Sequence, residues 1–162
     1  MTCNDNREHV WPEDFDNFQS AFDAAVSRGA ELRFRPNVTY TWPMTTVTVN
    51  GTIKVVATGA RIEVPGAVLA LHMQTGADAS EVDGGHWIYT GPLTNGYNGA
   101  SNAIRVTGTR NGPGVAPTFI ENVKIKNATF GGFGNVAVEY QFARNCSDEN
   151  IRCLRCGYAA VF

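Results

Sequence analysis

Apolar residues recur at helical spacing between Phe15 and Val26 and at strand spacing almost everywhere after that. Phe15, Phe18, Phe22 and Val26 fall on one stripe together with Ala21 and Ala25. From Glu31 to Arg35, by contrast, apolar Leu32 and Phe34 alternate with charged neighbours, as on a strand with one buried face. The helical stretch is punctuated at both ends. Pro12 precedes it, Glu13, Asp14 and Asp16 place negative charge in its first turn, Arg28 lies in its last, and Gly29 stands where a left-handed residue ends a helix. The pattern predicts a helix over 14–28 and an essentially all-β chain from residue 31 onward.

The segments that follow are short alternating runs, among them "TVTVNGTIKVVATGARIEV", "HWIYT", "AIRVTG", "FIENVKIKNATF" and "NVAVEYQF", separated by Gly, Asn, Asp or Pro. A sandwich, a closed barrel and a β-solenoid compete for such a chain. Asn50-Gly51 is a fair two-residue hairpin turn. Recurrence at one rung length favours the solenoid instead: "NVKIKN" at Asn122 and "NIRCLR" at Asn150 are offset by 28, "GNVAV" at Gly134 and "GYAAV" at Gly157 by 23. An open-ended solenoid exposes apolar core and unpaired strand edges at its first rung, and an amphipathic helix rich in phenylalanine, set just before the first strand, is a suitable lid.

Composition narrows the function classes. In 162 residues with 43% hydrophobic and 17% charged content there is room for one domain with a real core. A formal net charge of −2 gives no broad electrostatic reason to expect nucleic acid, and no stretch approaches the roughly 20 apolar residues that span a bilayer, so neither nucleic acid nor membrane insertion is expected. The start of the chain shows no basic and apolar export signal. Cys146, Cys153 and Cys156 crowd together, but three thiols with no histidine close in sequence do not complete a tetrahedral zinc site, so small apolar side chains in a strand core are expected and no metal or cofactor. The sequons at Asn37, Asn50, Asn127 and Asn145 read as turn chemistry.

The segment "FDNFQSAFDAAVSRGAELRFRPNVTYTW" resembles the entry segment of right-handed β-helix proteins of the pectate-lyase superfamily, which includes bacteriophage tailspikes. The shared features are Ala24-Ala25, the Arg28-Gly29 turn, the strand from Leu32 into Pro36, and Tyr40-Thr41. "VDGGHWIYTG" is similar to the family's Gly-Gly-x-Trp rung and "IENVKIKNATFGGFGN" to its Asn-Val-x-Ile ladders. Asn37 stands where the family usually has glycine, a backbone position asparagine tolerates. The fold class expected is therefore all-β, a right-handed parallel β-helix with an N-terminal amphipathic capping helix: an extension over 1–13, the capping helix over 14–29, and rungs over 30–162. The family usually runs to more rungs, so the resemblance implies a solenoid truncated at its C-terminal end. It further implies a homotrimeric tailspike, associated with other phage tail proteins in the virion, that recognises and in complete form depolymerises a bacterial capsule or O-antigen. The alternatives are a secreted pectate lyase or polygalacturonase-type enzyme, and a virion or adhesin module that only binds.

Candidate chemistry is sparse. If Val136, Val138, Tyr140 and Phe142 face inward, Glu139 points outward with Gln141 and is a candidate catalytic carboxylate; an ordinary solvated glutamate is the competing reading. Asp78, Glu81 and Asp83 form an acidic cluster that reads better as a polar turn than as a calcium loop. Lys124 and Lys126, with Arg152 one rung on, make a basic strip that suits an acidic sugar, or serve only solvation and protection of strand edges. The long glycine-rich loops 91–102 and 108–118 are candidate binding loops, and Tyr97 with Trp87 and Tyr89 would stack on sugar rings. His9, His72 and His86 lie in unrelated contexts, and neither a nucleophile elbow nor a phosphate-binding glycine loop is legible.

Overall fold

The computed structural model describes residues 8–66, 69–92 and 101–161. A 3-10 turn over Pro12–Asp14 precedes helix α1, Phe18–Arg28. The helix starts later than its acidic flank suggests because Asn17 is extended (φ −156°) and its side chain accepts from the Ser20 N–H at 2.9 Å, capping the first turn. At the other end Gly29 takes the left-handed conformation, φ 62°, and its N–H bonds back to the Ala25 and Val26 carbonyls.

Among the described residues everything else regular is strand. Sheet one holds β1 (His9–Val10), β2 (Glu31–Arg33), β5 (Lys54–Val56), β8 (Glu81–Asp83), β12 (Lys124–Lys126) and β16 (Ser147–Glu149) in that order. Sheet two holds β3 (Thr39–Thr41), β6 (Arg61–Val64), β9 (His86–Tyr89), β13 (Thr129–Gly131) and β17 (Arg152–Leu154). Sheet three holds β4 (Val47–Val49), β7 (Leu69–Gln74), β10 (Asn102–Thr107), β14 (Val136–Gln141) and β18 (Tyr158–Val161), and β11 (Ile120–Glu121) pairs with β15 (Ala143–Arg144). The chain visits the three sheets in turn, and each visit adds a strand beside the previous one. Pairing between these strands is parallel throughout, which excludes the hairpin architectures; the Asn50-Gly51 step joins strands of two different sheets. Gly51 is needed there for room, since an added Cβ would lie 2.3 Å from Val26 Cγ1 of the helix.

The pairing corrects both expected offsets. Lys124 lies opposite Ser147 and Thr129 opposite Arg152, so Asn122 and Asn127 correspond to Asn145 and Asn150, a repeat of twenty-three residues. All four asparagines have positive φ, 51° to 60°, and Asn150 Nδ2 donates to Asn127 Oδ1 at 2.9 Å, so Asn150 matches Asn127 and not the Asn122 of the similar motif. Val138 likewise lies opposite Ala160 rather than Val161, a one-residue slip that reverses which side chains share a face. Asn37, φ 62°, occupies the left-handed position expected of it.

Parallel register turns alternation into columns. Val10, Leu32, Val55, Val82 and Ile125 stack on the inner face of sheet one, Tyr40, Ile62, Trp87 and Phe130 on sheet two, and Val47, Leu71, Ile104 and Val138 on sheet three. Their side chains are buried, each worth roughly 1.5–3 kcal/mol. Two columns change character at their last strands: Asp148 follows Ile125 and the smaller Cys153 follows Phe130. Asp148 Oδ1 accepts from the Tyr140 hydroxyl at 2.5 Å; burial raises the carboxyl above its ordinary range despite that bond.

The helix closes the other end of the stack. Phe18 and Phe22 lie 4.9 and 5.9 Å, ring to ring, from Trp42, which is itself 5.2 Å from Trp87. The Gln19 amide donates to Thr48 O at 2.7 Å and accepts from Thr48 N at 2.8 Å, so one side chain takes the place of a further strand at the open edge of β4. Phe142 is the exception to the inward alternation expected along β14: at φ 49° it leaves the strand and is exposed.

Two predictions follow from the stack. Trp42→Ala removes the contact that joins lid to column and should cost about 3–5 kcal/mol of unfolding free energy in a denaturant titration. Glu31, 1% exposed, is held by Lys54 at 2.7 Å and Arg33 at 2.6 Å. Burial alone would raise its carboxyl, but hydrogen bonds from Lys54 and Arg33 outweigh that and hold it below the ordinary carboxylate range. Its contribution is therefore present above the unfolded-state pKa, roughly 4.3, and lost as pH falls through the lower folded value. Glu31→Gln should destabilise the protein at pH 7, and thermal melts should show the gap to wild type narrowing below about pH 4.

Candidate functional site

The outer face of sheet three carries a ladder of polar side chains. Because inward positions alternate with outward ones, Thr48, His72, Arg105 and Glu139 come into line across β4, β7, β10 and β14, with Gln74, Thr107 and Gln141 as a parallel row two residues on. Glu139 is the hub. Its Oε2 accepts from Arg105 Nε at 2.6 Å and Asn102 Nδ2 at 2.7 Å, and its Oε1 accepts from Gln141 Nε2 at 2.6 Å. The carboxylate is 14% exposed, so the freely solvated glutamate of the competing reading does not describe it. Asn135 Nδ2 in turn donates to Asn102 Oδ1 at 2.8 Å, extending the network to the start of β14.

At the other end of these strands the ladder opens into a cavity of about 540 Å³ lined by Asn50, His72, Gln74, Thr75, Thr107 and Thr109. Gln74 Nε2 lies 3.2 Å from His72 Nδ1 and the hydroxyls of Thr75 and Thr109 are 2.7 Å apart. Burial first, then the nearby Arg105 charge, holds the His72 imidazole below its ordinary range, with Glu139 acting in the opposite sense, so the ring is neutral at pH 7. Beside the cavity the loop 108–118 folds back on itself through paired Thr109 and Thr118, and Asn111 Nδ2 donates to the Thr118 hydroxyl at 3.3 Å.

The other candidates fall elsewhere. Trp87 and Tyr89 are inward residues of β9, 0% and 6% exposed, with the indole N–H donating to Gly84 O and the phenol to Pro92 O; they stack in the core and offer no ring to a sugar. Period two decides this, since His86 takes the outward position. Tyr97 lies outside the described residues. The basic strip does not form, because Arg152 stands opposite Thr129 on sheet two while the neighbour of Lys124 is Ser147. Lys126 is shared between Glu81 at 3.1 Å and Asp83 at 3.3 Å, and Lys124 lies 3.8 Å from Glu149. These charges answer one another across the strands of sheet one. The remaining member of the acidic cluster, Asp78, accepts from the Glu121 N–H at 2.7 Å, tying two connections together. Cys146, Cys153 and Cys156 are half-buried and packed against the core, and burial pushes the Cys153 thiol up to about 11.

Sequence reasoning reached Glu139 but missed Arg105, Asn102, His72 and the cavity. Arg105 was legible as an outward position of "AIRVTG", but pairing it with Glu139 requires the register. No family profile, characterised protein or solved structure matches the chain.

Glu139→Ala strands the Arg105 guanidinium and the Asn102 amide without their acceptor, and should lower unfolding free energy by about 1–3 kcal/mol. Glu139→Gln keeps an acceptor oxygen and should lose less; equal losses in denaturant titrations would show that the ladder is not held through this carboxylate.

Proposed function

We propose that this chain forms a right-handed parallel β-helix and acts as a tailspike-like receptor-binding protein, holding a bacterial capsule or O-antigen chain against the outer face of sheet three. The observation that carries the reading is the Glu139 ladder with its adjoining polar cavity. A flat array of amides, hydroxyls and one ion pair, held rigid by strands on both sides, matches a polymer whose surface is made of hydroxyl groups. Weakly hydrated apolar pockets would suit other ligand classes better.

Binding is favoured over cleavage at this face. Hydrolysis by paired carboxylates needs two of them about 5–10 Å apart, and along the aligned row from Thr48 through His72 and Arg105 the only acid is Glu139. Its oxygens are already occupied by Arg105, Asn102 and Gln141. Homotrimer assembly, contact with other tail proteins and a place in the virion belong to the same proposal and rest on the resemblance of the entry segment to tailspikes.

The test pairs an array of bacterial O-antigen and capsular polysaccharides with sedimentation of the same protein. The expected result is retention of one or a few related polysaccharides by a trimer, lost in Arg105→Ala. A protein that retains no polysaccharide, or whose retention is indifferent to Arg105, would contradict the reading.

A further inference from the structure

Two residues that line the cavity beside the ladder, His72 and Thr107, each hold a buried polar atom without a partner. His72 Nε2 and Thr107 Oγ1 are buried and make no hydrogen bond within the protein. Such groups carry the cost of lost hydration, and two of them in neighbouring strands of one cavity wall are hydrogen-bonding capacity that a ligand can meet. Their chemistry is defined by their neighbours. The amide nitrogen of Gln74 can only donate, so His72 Nδ1 accepts from it at 3.2 Å and the hydrogen of the neutral ring sits on Nε2. The cavity therefore offers an N–H donor and a threonine hydroxyl, with the Asn50 amide and the paired Thr75 and Thr109 hydroxyls around them. None of these lining side chains carries a charge. The nearest cation, Arg105, is held through its Nε by Glu139 at 2.6 Å and does not line the cavity.

We infer that this cavity is a subsite for an uncharged, hydroxyl-bearing sugar residue, with His72 Nε2–H donating to one ring hydroxyl and Thr107 exchanging a hydrogen bond with a neighbouring one. The inference rests on the polysaccharide-binding reading and makes it more specific, since a subsite for a uronate or a phosphorylated sugar would need a cation with an unoccupied face among the lining groups. Both atoms are shielded from bulk water, so a lining side chain turns aside to admit the sugar.

Thr107→Val is the decisive variant because it separates binding from folding. Removing an unpaired buried hydroxyl while keeping the β-branched shape should leave the melting temperature unchanged or raised. The same change should weaken binding of neutral O-antigen oligosaccharides about tenfold, the worth of one good hydrogen bond. His72→Phe should weaken it similarly, and the His72 Nε2–H resonance of the wild-type chain should shift on saturation with a neutral oligosaccharide. An array presenting neutral and uronate-bearing bacterial oligosaccharides of equal length then sorts the outcomes. Retention of neutral chains, reduced in Thr107→Val, supports the inference. Retention of uronate-bearing chains alone, or undiminished binding by a folded Thr107→Val protein, overturns it and leaves polysaccharide binding standing. Retention of nothing removes both.

Discussion

The structure depends on register. Parallel pairing with strict alternation puts residue after residue of like character directly above one another, and every larger feature is a column built that way. The inner columns are apolar because each strand turns its hydrophobic set to the same side, and the outer columns are polar for the same reason. A slip of one residue in the pairing of β9 or β13 would replace the aromatic rings of the Trp42–Trp87–Phe130 stack with His86 or Thr129 and turn the rings out to water. The asparagines and glycines at the corners protect against that slip, since each left-handed residue fixes where a strand ends and the next begins.

The two polar faces use the same register to different ends. On sheet one acid and base alternate from strand to strand, Glu31 against Lys54 and Lys126 against Glu81 and Asp83, so the charges cancel within the face. On sheet three the charges also cancel, in the Arg105–Glu139 pair, but they are surrounded by amides and hydroxyls and end in a cavity two of whose lining residues each hold an unpartnered atom. A self-satisfied face supports the fold, whereas a face with unmet hydrogen-bonding capacity is available to a ligand. The lid serves both. Gln19 closes the edge of β4, the first strand of sheet three, so that the ladder begins from a fixed strand rather than a frayed one.

Much of this was legible residue by residue and little of it pair by pair. The helical stripe, its Gly29 terminus, the β character after residue 31 and the outward direction of Glu139 all follow from local periodicity, which needs no knowledge of partners. Trp87 and Tyr89 share one face of an alternating run, and which face is inward is decided only by the pairing of β9 with β6 and β13. Arg152 was misplaced because motif similarity aligned Asn150 with Asn122, whereas hydrogen bonding aligns it with Asn127. The length of a turn is set by loops of variable size, and that is a property of closure rather than of any window of sequence. Strand β1 was missed for a related reason: two residues, His9 and Val10, carry no periodicity, and only pairing with Glu31 and Leu32 defines them.

The central claim is the in-register inner column of sheet two, and methyl-to-ring nuclear Overhauser contacts measure it most directly. The account predicts an unbroken series linking Ile62 to Trp87 and Trp87 to Phe130, with His86 and Thr129 contacting each other on the opposite face. Contacts pairing Trp87 instead with residues of β8 or β10, as consecutive antiparallel strands would give, would contradict it.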